Sequence, residues 1–549
     1  MSWLESHLLT LVIFLPLAGA VLSALLPRGE ANQHRGIAVL FSLLTFLASI
    51  PLWTGFHSAA GKWAWEQKSE WAPSLGISYH VGLDGVALLL FILTTFLGPI
   101  VALSSWRYIQ ERVKVYAISL LLLETAMLGT LASLDLVLFY VFWEAMLIPM
   151  YLLIGMWGSE RRIYAAVKFF LFTFVGSVLM LLAIFWLWNN SGRHSFDYVE
   201  LMAAGPIAPE TQKWLFLAFA LAFAIKVPVF PLHTWLPDAH TEAPAAGSII
   251  LAGVMLKMGT YGFIRYAMPL FPQAALAWAP TIALLGVIGI VYGSLMCMAQ
   301  SDLKRLIAYS SVAHLGFVML GLSALTAESA SGAVLQMVNH GISTGALFLM
   351  VGYLYERTHT RELAAYGGLA SVAPAIAAVF VVITLSSIGL PGTNGFVGEF
   401  LILSGTFISK EMAGAAALSV VATSGVVLGA VYMLWMVQRV FFGPKRKAAA
   451  QNMADLSVRE WFTVAPLLFA IVAIGLYPQP LLSAIREPVD AFVQRVSQPP
   501  RAQPRKAEDA VPALPPPGAQ LPGSPPRIFF PQRAPMARPP LPTPPEQGK

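Results

Sequence analysis

Fourteen stretches of this chain stay apolar for about twenty residues, the length of α-helix needed to cross the hydrocarbon of a bilayer. They fall near 8–26, 36–56, 83–105, 116–133, 135–157, 165–188, 214–235, 244–267, 276–298, 305–325, 333–355, 374–405, 416–441 and 462–482. No other feature restricts the fold as strongly, because inside lipid every backbone N–H and C=O must be satisfied within the protein. A β-barrel would show alternating segments of about ten residues instead of continuous runs. Composition agrees: 57% of residues are hydrophobic and 11% charged, against about 25% charged in a soluble chain. The expected fold is an all-α polytopic membrane protein.

The loops predict its orientation. Basic clusters such as RGEANQHR, SERRIYAAVK, SDLKR and RVFFGPKRK occupy the odd-numbered loops, and the even-numbered loops are neutral or acidic-mixed. By the positive-inside rule both termini lie on the outer side. The net charge of +6 is loop-borne and speaks for topology, not for nucleic-acid binding. The single cysteine, Cys297, excludes an internal disulfide and a four-cysteine iron–sulfur site, and no dinucleotide-binding glycine motif is present. The N-terminus lacks the basic start of a cleavable signal and reads as the first span.

Ionisable side chains within spans are costly, about 2.5–3.5 kcal/mol or more at a helix centre, and mark function. They are Glu124, Glu144, Lys226, Lys257, His314, His340 and Glu399; Asp135, Lys168 and Lys304 lie nearer span ends and can snorkel. Such a series of acids and bases reads as a proton or ion path. Three members adjoin helix breakers: Lys226 precedes Pro228 and Pro231, Glu144 precedes Pro149, and Glu399 follows the Gly389–Gly395 stretch. Broken helices at membrane depth are tolerated only inside protein or beside a wet cavity, and paired breaks in two halves mark transporter repeats. An ammonium there is expensive unless a carboxylate faces it, so making and breaking a Lys226–carboxylate pair changes how firmly the lysine holds its proton. Glu144 is the expected partner, and Lys257 the next acceptor.

Taken together, FWEAMLIPMY, AFAIKVPVFPLHTWLPDAHTEAPAAGSIILAGVMLKMGTYGFIR, SDLKRLIAYSSVAHLGFV, QMVNHGISTGALFLMVG and GLPGTNGFVGEF resemble the antiporter-like membrane subunits of respiratory complex I over residues 1 to 485. Glutamate at position 399, where L- and N-type chains usually carry lysine, makes the M-type chains the nearest likeness. The resemblance implies two inverted five-helix repeats with broken seventh and twelfth helices. Outside it, the proline-rich composition of 486–549 reads as a disordered tail, while the resemblance divides the rest into three N-terminal helices (1–115), a first repeat (116–267), a second repeat (268–441) and a basic loop with a fourteenth helix (442–485). It also implies a proton path through Glu144, Lys226, Lys257, His314, His340 and Glu399, with Glu124, His233 and Lys304 as secondary candidates and no residue catalytic in its own right. Asp238, His240 and Glu242, beside His233, read as structural or entrance residues, and their spacing fits no zinc site.

The same resemblance implies an NADH:quinone oxidoreductase subunit with no cofactor or metal of its own. Flavin, iron–sulfur clusters, NADH and quinone would belong to other subunits. The partners implied are L- and N-type neighbours and membrane lipids, not nucleic acid, in a bacterial inner (plasma) membrane. The alternative is a subunit of a multisubunit cation/proton antiporter or a membrane-bound hydrogenase.

Overall fold

The computed structural model describes residues 3–27, 29–57, 62–192, 194–444 and 453–499. Among them, twelve helices are long and apolar enough to cross a membrane. The first half holds α1 (Trp3–Leu25), α2 (Ala31–Thr54), α3 (Gly85–Ser104), α4 (Val113–Ala132), α5 (Leu136–Ala145), α6 (Leu147–Trp157), α7 (Arg162–Asn190), the short α8 (Tyr198–Ala203), α9 (Pro209–Lys226) and α10 (Trp235–Glu242). The chain continues through α11 (Ala245–Ile250), α12 (Leu256–Gly262), α13 (Met268–Leu270), α14 (Pro272–Met298), α15 (Leu303–Ser323), α16 (Ala327–Thr358), α17 (Pro374–Ser387), α18 (Asn394–Phe407), α19 (Ala415–Phe441), α20 (Val458–Leu476) and α21 (Gln479–Ser497). The runs α5–α6 and α11–α13 each form one continuous membrane-length rod. At the expected seventh and twelfth spans lie pairs of shorter helices instead, α9 with α10 and α17 with α18.

Proline and glycine explain both interruptions. Pro228 and Pro231 have no N–H to continue the ladder of α9, and the chain stays non-helical until Trp235. Trp235 spans the gap by donating its indole N–H to Ile225 O at 2.9 Å. In the other pair, Gly389 adopts φ +73°, a conformation that side-chain-bearing residues rarely take. A Cβ there would also stand 2.9 Å from Glu399 Oε2.

Burial sorts the helices. The rods Ala245–Leu270, Leu303–Ser323 and Ala327–Thr358 are buried along their most apolar stretch, whereas in α1, α2, α7, α14, α19 and α20 at least half of that stretch is only partly buried or exposed. Exposed leucine, valine and phenylalanine on the second group suit lipid or neighbouring helices. The fully enclosed rods carry Lys257, His314 and His340.

The all-α expectation holds for the membrane body, and one loop adds to it: between the second and third spans the chain folds into an antiparallel hairpin, β1 (Ala64–Ala72) with β2 (Ile77–Leu83). Its Trp, Tyr, Ile and Val content suits a strand, but so polar a loop gives little period-2 signal. The domain boundary at 486 needs correction, because α21 continues helical chain to Ser497. Ile485, Val489, Phe492 and Val496 recur on one face and are buried, against α3, α14 and α16. Pro480, Pro488 and the polar opposite face disguise this helix in a reading that looks for spans. The proline-rich remainder, 500–549, lies outside the described residues.

Candidate functional site

Lys257 sits in α12 between two π-helical stretches, Leu251–Met255 and Phe263–Ala267. π turns shift the backbone pattern and leave carbonyls available. Lys257 Nζ donates to one of them, Ala252 O, and lies 2.6 Å from His340 Nδ1. Gly259 on the same helix lets the end of α9 approach: a Cβ there would stand 2.6 Å from Phe223 O.

From His340 the line continues on α15. The His340 and His314 rings lie 5.7 Å apart between centroids. His314 Nδ1 is 3.1 Å from Glu399 Oε1, and its Nε2 is 3.4 Å from Ser387 Oγ. Gln336 Nε2 also donates to Glu399 Oε1, at 3.2 Å. Lys257, His340, His314 and Glu399 therefore form one buried sequence of titratable groups, supplied by α12, α16, α15 and α18. A small cavity beside it is lined by His314, Gln336, Asn339, His340, Ser343 and Ser387, among others.

The other expected pair stands apart. Lys226, the last residue of α9, is 1% exposed, and its Nζ has no hydrogen-bond partner. It lies over the rings of Trp143 at 5.0 Å and Phe169 at 5.7 Å, a cation–π setting that partly replaces water. Glu144 is the carboxylate whose field reaches it, yet the two form no ion pair. Glu144 lies at the end of α5, beside the irregular turn at Met146 that joins it to α6, where Pro149 cannot donate to Ala145 O. The structure thus places acid and base near each other with the contact open.

The secondary candidates divide. Lys304 is buried at the start of α15 and donates to Ala243 O; with Tyr108, Ser159, Tyr355 and Arg361 it lines a cleft at the basic-loop end of the bundle. His233 stacks on Phe230, 5.6 Å between centroids, beside Tyr292. Glu124 packs against Gly98 of α3, and neither of its oxygens accepts a hydrogen bond. Among the described residues it makes no bond to Glu144, Lys226 or the central line.

His240 carries more weight than its loop position suggests. It is wholly buried, stacked on Phe348 at 4.6 Å, and both ring nitrogens lack partners. The fields of Lys304, in the cleft, and Lys257, in the central line, both reach it. The sequence signal was the second histidine of HTWLPDAH, hidden by its acidic neighbours. Asp238 instead pairs with Lys168 at 2.7 Å, and Glu242 accepts from Arg161 N at 3.0 Å.

Fold and site define a class: polytopic helical membrane proteins built round an internal line of ionisable side chains between interrupted helices. Residues 133–428 match the family described as NADH:quinone oxidoreductase/Mrp antiporter, transmembrane. The chain is 44% identical to NADH-quinone oxidoreductase subunit M of Rhodobacter capsulatus, over 89% of this chain and 96% of that one. Among solved structures it is similar to a chain of respiratory complex I from Thermus thermophilus, with TM-score 0.81 and 33% identity, covering 89% of this chain and 99% of that one. A chain of the Mrp complex from Dietzia sp. DQ12-45-1b shares the fold, with TM-score 0.76 and 22% identity, over 89% of this chain and 52% of that one. The chain belongs to the NADH:quinone oxidoreductase/Mrp antiporter family of multi-pass membrane proteins, as a complex I member of the subunit M type.

Proposed function

We propose that this chain moves protons across a bacterial inner membrane as the M-type subunit of NADH:quinone oxidoreductase, with both termini outside. The carrying observation is the buried contact sequence Lys257–His340–His314–Glu399, each member of which is at most 7% exposed. Protons enter from the basic-loop side through the Lys304 cleft and His240, load the central line, and leave from Glu399 to the outer side. Loading is controlled by closure of the open Glu144–Lys226 pair. An approaching carboxylate stabilises the ammonium, and its withdrawal releases the proton toward Lys257.

The energy comes from electron transfer elsewhere: flavin, iron–sulfur clusters, NADH and quinone are assigned to other subunits, and L- and N-type neighbours transmit the charge changes. In the assembled complex, Lys257→Met is expected to lose proton translocation through this subunit. Proton uptake per electron in vesicles would read it, and wild-type stoichiometry with normal assembly would overturn the assignment.

A further inference from the structure

The break between α17 and α18 is joined to Glu399 by a ring of buried amides and hydroxyls. Asn339 Nδ2 donates to Gln336 Oε1 at 3.3 Å, and Gln336 Nε2 donates onward to Glu399 Oε1 at 3.2 Å. The two amides are therefore arranged head to tail, each donor aimed toward the carboxyl. The same Asn339 amide donates at 2.7 Å to the carbonyl of Asn394, the first residue of α18.

Asn394 is itself clamped. Its amide donates to Asn339 O at 3.3 Å and to Ser343 Oγ at 3.2 Å. Its Oδ1 accepts from Ser386 Oγ, in the last turn of α17, at 2.5 Å. Ser343 and Ser386 meet at 2.6 Å, and Ser387 closes the ring on His314 Nε2. Gln336, Asn339, Ser343, Ser386, Ser387, Asn394 and Glu399 are each at most 5% exposed.

We propose that Gln336, Asn339 and Asn394 are positioning residues that couple the proton load of Glu399 to the geometry of the α17–α18 break. A carboxylate is a stronger acceptor than a carboxylic acid, so loading Glu399 weakens the pull on the Gln336 amide. That amide then relaxes against Asn339, which alone among these residues holds both Gln336 and the start of α18. Neighbouring dipoles in such a network polarise one another, so one changed bond is felt along the ring. The break opens or tightens with the load, and water reaches Glu399 in one state more than in the other.

The first break lacks this link. Its brace is the Trp235–Ile225 bond, and Lys226 makes no hydrogen bond that could report its charge to the backbone. The two halves are thus unequal: the inner charge pair responds to an approaching carboxylate, and the exit-side break responds to its own proton.

The inference rests on the proposed exit role of Glu399, but its test reads protonation and backbone opening instead of pumping. Titratable groups facing Glu399 are His314 from α15 and Tyr432 from α19, with His340 and Lys257 behind His314. In the whole complex, the infrared carboxyl band that disappears in Glu399→Gln locates the titration of this residue. Hydrogen–deuterium exchange of residues 388–394 is then followed across it. The wild type should show exchange that changes with the Glu399 band. Gln336→Met, which leaves the Asn339–Asn394 bond in place, should keep the band and lose the pH dependence of exchange. Gln336→Asn, which keeps an amide donor, should restore part of it. Exchange that follows the band equally in Gln336→Met, or ignores it in the wild type, overturns the coupling. Full pumping by Lys257→Met would overturn the proposed function, and leaves this exchange readout unaffected.

Discussion

Asp197 locks the β1–β2 hairpin to the helical body, and its removal has a calculable cost. Its Oδ1 caps α8, accepting from Val199 N at 2.8 Å and Glu200 N at 3.2 Å. Its Oδ2 lies 2.6 Å from His80 Nδ1 and 2.7 Å from Lys68 Nζ. Burial works against the charge on Asp197, but the bonds from His80 and Lys68 outweigh it and hold the carboxyl at about 2, from an ordinary 3.8. At about 1.4 kcal/mol per unit this corresponds to about 2 kcal/mol of local stability at neutral pH. Burial likewise opposes the imidazolium of His80, and the bonds to Asp197 and Glu66 raise it above 6.5.

The two shifts describe one interaction seen from both ends. The Asp197 contribution is present above about pH 4 and fades as pH falls toward 2. The His80 contribution is complete below 6.5 and is lost as pH rises through its raised value. Asp197→Asn should therefore speed hydrogen exchange in 77–83 and 198–203 by about thirty-fold near neutrality, the equivalent of about 2 kcal/mol. It should also flatten the loss of protection on the alkaline side. Unchanged exchange in Asp197→Asn, or wild-type protection that does not fall at high pH, would refute this reasoning.

Other outcomes follow from the same geometry. His240→Phe keeps the stacking volume against Phe348 but removes the ring nitrogens; the complex should assemble and pump fewer protons per electron, whereas unchanged pumping would remove His240 from the inlet. Gly389→Ala combines a disfavoured φ, worth about 1–2 kcal/mol, with a Cβ pressed on Glu399, and should lower thermal stability and pumping together. Arg357 grips Glu460 with two bonds at 2.8 and 2.7 Å, tying α16 to α20. Glu460→Ala leaves that guanidinium largely buried without its acid, and a loss of about 3–5 kcal/mol should appear as a lower unfolding temperature.

The twelve long helices and both interruptions were legible because apolar length and Pro/Gly punctuation are local properties of the chain. The buried charges were equally visible, since a lysine such as Lys257 has few reasons to stand in an apolar run. What joins them was less so. That Lys257 meets His340 across 83 positions, or that His314 meets Glu399 across 85, depends on how helices pack and on nothing in either neighbourhood. The π turns around Lys257 have no simple composition signal. Gln336, Asn339 and Asn394 are uncharged, so a search for ionisable residues passes over them. The β1–β2 hairpin and α21 were hidden for another reason: each is polar on one side and dependent on the body of the protein for its apolar partner.

Lys226 is proposed to hold a proton under the control of an acid partner that moves. Proton translocation per electron, measured in vesicles with purified complex carrying Lys226→Ala alongside its quinone reductase rate, tests this most directly. The expected result is normal assembly with fewer protons moved per electron; full stoichiometry in that variant would remove Lys226 from the path.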